Sequence, residues 1–165
     1  MNPGNKPING LMNSLNRVKM DKIFIASDHG GVEFKKELSK YLDNNFKAET
    51  VDLGPQKKNS VDYSDYANKL TERMMEYKNS KGVLICKSGI GMSIAANKVN
   101  GIRAAVGYNP KIAELSRRHN NANVICFGAD FIPVNEAKES LNKFLTTEFE
   151  GGRHKRRLSK IKDGN

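Results

Sequence analysis

The stretch VLICKSGIG, residues 83–91, puts a thiol at the end of an apolar run with a glycine loop directly after it. A cysteine close to a helix start holds more of its thiolate form than a free one. It can then act as a nucleophile or as a base. In the loop, Ser88-Gly89-Ile90-Gly91, the glycines let backbone N–H groups come close to an anion. The GK[ST] ending of a nucleotide-binding phosphate loop is absent. Taken alone, Cys86 also reads as an inert core residue, and the loop as a plain strand-to-helix turn. Cys126 lies inside its own apolar run and has only the inert reading.

Asp28-His29-Gly30-Gly31 follows another apolar run. A carboxylate and an imidazole at a strand end can share proton work, or can be a helix cap and a surface ring. His119 closes a helical pattern after Arg117 and Arg118, where a cation also complements the helix dipole. Arg153 and Arg157 are four apart, so one helix face can present both to a phosphate. A solvated basic tail is the plainer reading of that pair. Tyr63 and Tyr66 straddle the start of a helical stretch and otherwise read as packing. The histidines, 29, 119 and 154, show no metal-ligand spacing, so no metal is expected.

The elements that position these residues alternate. Apolar runs at 22–27, 48–53, 82–86, 102–108 and 123–128 read as strands. Helical spacing follows each, at 32–42, 62–79, 90–99, 110–119 and 134–149. Pro110 suits a first helical turn. Five strand–helix repeats with strands apolar on both faces predict a parallel sheet covered by helices. Ligands of such sheets bind beyond the carboxyl ends of the strands. Several of the candidate polar groups fall there, as expected of a site for a small phosphorylated molecule.

The chain of 165 residues is sized for one domain, expected over 21–165. Residues 1–20 are rich in Asn, Pro and Gly and predict a disordered extension. The net charge of +10 is concentrated at the ends: +3 on residues 1–20, +5 on 151–165, and +2 on the rest. That distribution weakens a nucleic-acid reading, and no aromatic-rich strand or finger motif supports one. No apolar run approaches the ~20 residues of a membrane helix, and no secretory leader is expected. Two cysteines far apart suit a reducing, cytoplasmic setting better than a disulfide framework.

The segments IASDHGGVEFKKEL, VDYSDYA, GVLICKSGIGMSIAANKVNGIRAA, AELSRRHNNANVICFGA and FEGGRHKRR resemble, in order and spacing, the ribose-5-phosphate isomerase B family. That family also contains the galactose-6-phosphate isomerase subunits. The similarity runs from about Lys22 to Arg157. It implies a doubly wound, Rossmann-like parallel sheet of five strands, with helices on both faces and a C-terminal helix. It also implies a cytoplasmic enzyme of the pentose phosphate pathway, a homodimer or dimer of dimers with shared active sites. No cofactor, nucleic acid or membrane partner is implied. The implied reaction interconverts ribose 5-phosphate and ribulose 5-phosphate without a metal. By position, Asp28 and His119 would assist ring opening, and Cys86 would move the proton between C2 and C1. Ser88 and the amides of Gly89, Ile90 and Gly91 would stabilise the enediolate. Arg153 and Arg157, helped by His29, would hold the phosphate, and Tyr63 and Asn120 would line the sugar pocket. His119 would serve the neighbouring subunit's site. A hexose 6-phosphate of galactose or allose type is the alternative substrate.

Three positions bear on this assignment. One branch of the family has a glutamate base where this chain has Met92, so the cysteine is the consistent base here. Lys87 stands where glycine is usual. A side chain there would cost ~1–2 kcal/mol if the backbone were left-handed. Asp130 stands where many members carry an arginine, and an acid facing the phosphate would repel it.

Overall fold

The computed structural model describes residues 20–161. The strands are β1 (Lys22–Ser27), β2 (Glu49–Asp52), β3 (Lys81–Cys86), β4 (Ala104–Val106) and β5 (Val124–Gly128). They form one parallel sheet in the order β2-β1-β3-β5-β4. The helices are α1 (Val32–Asn45), α2 (Tyr63–Met75), α3 (Ile90–Ala96), α4 (Pro110–Asn120), α5 (Val134–Thr146) and α6 (Arg153–Leu158). A single 3₁₀ turn, His29–Gly31, precedes α1. Among the described residues no helix is long and apolar enough to cross a membrane. The extension expected over residues 1–20 lies outside the described residues, apart from Met20.

The strands are apolar on both faces because both faces are covered. Ile23, Ile25, Val83, Ile85, Ile125 and Phe127 pack against α1, α4 and α5. Phe24, Ala26, Leu84, Cys86, Val124 and Cys126 pack against α2 and α3. Strand alternation therefore puts both cysteines on the α2/α3 side. The chain leaves β1 toward β2 on one flank and reaches β3 on the other. The loops after β1 and β3 consequently lie side by side, and Asp28 N–H donates to Ile85 O at 3.0 Å. A crevice at such a point is where ligands of open α/β sheets bind.

Six elements, β2, β4, β5, α2, α3 and α5, are shorter than their patterns predict. α2 stops at Met75 rather than Asn79, and Ser80 Oγ donates to Tyr77 O at 2.8 Å in the turn that follows. α5 stops at Thr146, and the next carbonyl, that of Thr147, accepts from Arg117 Nε at 3.3 Å. β4 keeps only three residues, since Ile102 N–H turns back to Val99 O and Arg103 N–H donates to the Asn123 side chain.

Candidate active site

Two groups of candidate residues emerge, at opposite ends of the sheet. The first is at the carboxyl end. Cys86 closes β3, and its Sγ accepts a hydrogen bond from Gly89 N–H at 3.1 Å. It retains 5 % exposure, whereas Cys126 has none. Complete burial, then the neighbouring Cys86, pushes the Cys126 thiol far above its ordinary pKa, which fits its inert reading. Gly89 itself is left-handed, φ 78°, and opens α3. The loop lies so close to β5 that a Cβ on Gly128 would sit 2.6 Å from the carbonyl carbon and oxygen of Ser88. Backbone contacts on both sides thus fix the loop.

The loop amides are not equivalent. Gly89 N–H is given to the sulfur and Ile90 N–H to Ser88 Oγ at 3.3 Å. Gly91 N–H has no acceptor among the described residues, as expected in the first turn of a helix. The ring of Tyr63 covers Gly91 so closely that a Cβ there would lie 2.9 Å from it. Met92, at the position of the other branch's glutamate, is fully buried and fills core.

Asp28 does cap the 3₁₀ turn, as its plainer reading has it. Its Oδ1 accepts from Gly30 N–H at 2.9 Å and Gly31 N–H at 3.1 Å. Its Oδ2 makes no hydrogen bond among the described residues, so the cap leaves one carboxylate oxygen for other work. His29 is half-buried, with Nδ1 3.3 Å from both the amide nitrogen and the carbonyl oxygen of Val61, so it is not a free surface ring. Asp28, His29, Tyr63, Cys86, Ser88, Gly89, Ile90 and Gly91 therefore cluster at the carboxyl ends of β1 and β3. Lys87 is exposed, and its side chain lies over Gly30. Among the described residues only Asn121 has a positive φ without being glycine, so Lys87 carries no left-handed penalty. Asp130 is exposed and donates its N–H to Lys87 O at 3.1 Å.

His119, Asn120, Arg153 and Arg157 are elsewhere. α4 starts beyond the carboxyl end of β4 and descends about 16 Å to the amino end of β5. Asn109 caps its start, accepting from Ile112 N–H at 2.9 Å, and His119 and Asn120 end it. α6 packs on α4, and the rings of His119 and His154 stack at 4.3 Å with 9° between planes. Glu150 Oε1 lies 3.8 Å from His154 Nε2, and Arg118 Nη2 donates to Glu150 Oε2 at 3.0 Å. Arg118 holds the Glu150 carboxyl below the usual range. Burial, then His119, lowers the His154 pKa, Glu150 works against this, and Arg153 and Arg157 add to the lowering. His119, Glu150 and His154 offer donor atoms within 4.8 Å of one another, a grouping that histidine spacing in the sequence did not reveal. Arg118, Arg153 and Arg157 make the surrounding field positive, which favours an anion over a cation. Glu150 and His154 had no assigned role in the sequence reading. Their signal was their place in the same FEGGRHKRR segment as the arginine pair.

The family described as ribose/galactose isomerase matches residues 23–161. The chain belongs to that family. A putative sugar phosphate isomerase of Bacillus subtilis is 43% identical over 143 residues, covering 86% of this chain and 95% of that protein. Ribose-5-phosphate isomerase B of Escherichia coli is 38% identical over 142 residues, covering 86% and 95%. Among solved structures, ribose-5-phosphate isomerase B of Mycoplasma genitalium with bound ribulose-5-phosphate superposes with a TM-score of 0.82 at 42% identity, covering 85% of this chain and 93% of that one.

Proposed function

We propose that the chain is an aldose–ketose isomerase that interconverts ribose 5-phosphate and ribulose 5-phosphate through an enediolate. The ribulose-5-phosphate bound in the structure of the Mycoplasma genitalium relative supports the pentose. The observation that carries the chemistry is the pairing of Cys86 with the loop. A thiol at a strand end accepts from the first amide of a loop that also carries a free amide and a hydroxyl, and the neighbouring strand is followed by a carboxylate with one unused oxygen. Cys86 Sγ takes the C2 proton of the open-chain aldose. The electrons of that C–H bond form the C1=C2 double bond, and the carbonyl π pair moves onto O1. Ser88 Oγ and Gly91 N–H donate to the developing oxyanion. The O2 proton then passes to O1, and Cys86 returns its proton to C1. Asp28 Oδ2 and His119 move protons in ring opening.

Cys86 and His119 stand at opposite ends of one chain, so one small sugar cannot touch both there. A homodimer therefore supplies the complete site: Asp28, His29, Tyr63 and the Cys86 loop from one copy, His119, Asn120, Arg153 and Arg157 from the other. The exposure of Asn120, Arg153 and Arg157 in the single chain supports this division. Further pairing into a dimer of dimers fits the same reading.

The test is a parallel assay of ribose 5-phosphate, galactose 6-phosphate and allose 6-phosphate with EDTA present. Pentose conversion should persist and exceed hexose conversion. Cys86→Ala should lower kcat by ~10²–10⁴-fold. Activity kept by that variant would remove the thiol from the mechanism, and faster hexose turnover would change the substrate.

A further inference from the structure

The amino end of the sheet holds a cavity of about 620 Å³ that the isomerase chemistry does not use. Met20, Phe46, Leu145 and Phe149 give it apolar walls, and Lys81 and Arg117 give it charge. Lys81 is the first residue of β3 and is half-buried. The charged groups that act on it are Arg117 and Arg103, both positive. Burial, then those two guanidinium groups, pushes its pKa down to about 8. Its Nζ makes no hydrogen bond or ion pair among the described residues.

Arg117 is 8 % exposed, and every acceptor it meets is neutral. Its Nε donates to Thr147 O at 3.3 Å. Its Nη1 donates to Asn121 Oδ1 at 2.9 Å and to Ala122 O at 2.5 Å. Its Nη2 has no partner among the described residues. The acid of the lining, Glu148, is exposed and is not among the groups that act on Lys81. Buried charge without a counter-charge is costly, and folded proteins rarely leave it so. By contrast Lys35, fully buried on α1, is paired with Asp52.

We infer that this cavity binds an organic phosphate bearing an apolar ring, with Lys81 and Arg117 on the phosphate and the Phe46, Leu145 and Phe149 side chains on the ring. Its volume suits a small metabolite. Two cations with no acid partner among the described residues match a dianion, and Arg117 Nη2 is left to donate to one of its oxygens. The site is separate from the isomerase groups. The Cys86 loop is at the other end of the sheet. On α4, Arg117 and His119 are two residues apart, so they point to opposite sides of the helix.

The test uses the full chain with Arg153→Ala and Arg157→Ala, which weakens the proposed sugar-phosphate site. It is titrated calorimetrically with phenyl phosphate, inorganic phosphate and phenol. Phenyl phosphate should bind at one site per chain, about tenfold or more tighter than either fragment. Adding Lys81→Met should weaken it by about tenfold or more, and Lys81→Arg should largely keep it. Thermal melting shows that each variant is folded. Equal affinity with and without Lys81→Met, equal affinity for phenol and phenyl phosphate, or no binding at all overturns the assignment.

Discussion

The two ends of the sheet are built differently. At the carboxyl end the proposed catalytic groups are held by backbone: Asp28 by the amides of Gly30 and Gly31, and Cys86 by that of Gly89. At the amino end they are held by side chains, the His119–His154 stack between α4 and α6 and the pair of Arg118 with Glu150 in the loop before α6. The polar groups of the first end are fixed within the chain. The second exposes Asn120, Arg153 and Arg157 and finishes nothing by itself. A base must be placed to within a fraction of an ångström, and backbone does that best. Groups that greet another copy must stand on an outer surface. On the proposed reading, the division between the ends is a division between doing chemistry and lending it.

The strongest test of that division mixes two inactive chains. Cys86→Ala lacks the base, and His119→Ala lacks the group proposed to be lent. Each alone should fall ~10²-fold or more. After subunit exchange at equal amounts, half of the dimers are mixed, and each mixed dimer has one intact site. Activity should then recover to about a quarter of the native value. No recovery after exchange, confirmed by mass spectrometry of differently tagged chains, would put both groups in one chain's site.

Gly128→Ala attacks the backbone side of the comparison. Its Cβ would meet the Ser88 carbonyl at 2.6 Å, and neither backbone can yield without moving the loop. A shift of about 1 Å should cost ~10²-fold in kcat, with ~1–3 kcal/mol of stability lost by overpacking. Native kcat in this variant would show that the loop's position is not what matters.

Much of this division was legible in the sequence, because strands buried on both faces are unmistakable and glycine loops mark their ends. β1 runs over Lys22–Ser27 as its pattern predicts, and β3 gains only Lys81. The carboxyl-end residues follow from the rule that ligands bind beyond strand ends. The amino end was harder. His119 and His154 meet through the packing of α6 on α4, which no periodicity encodes. Lys81 sat just outside the apolar run GVLIC, and Arg117 looked like one more basic residue at a helix end. Their lack of an ion-pair partner among the described residues is a property of three dimensions.

Asp28→Asn separates cap from chemistry at the carboxyl end. An asparagine Oδ1 can still accept from Gly30 and Gly31, so the 3₁₀ turn should survive and Tm should fall by no more than about 4 °C. The carboxylate oxygen left over is gone, so turnover from ring-form sugar should fall by about tenfold. Unchanged turnover would leave Asp28 as a cap alone.

The smallest effect belongs to the unfinished end, and it concerns stability rather than rate. Lys81 has a folded pKa of about 8 against an ordinary value of 10.5. Below pH 8 the ammonium is charged in both folded and unfolded chains, and the folded state bears the full penalty. Between pH 8 and 10.5 the unfolded chain holds the proton that the folded one has released, so stability rises with pH and the penalty fades. Lys81→Met removes the charge and keeps most of the stem. It should raise Tm by a few degrees at pH 7, about 2–4 °C for each kcal/mol relieved. The gain over the native chain should shrink toward zero as pH approaches 10.5. Melting curves at pH 7, 8.5 and 10 read it directly. A gain that is flat across that range would mean that added apolar packing, not relief of an unpaired charge, is what the methionine contributes, and the amino end would then hold no charge waiting for a partner.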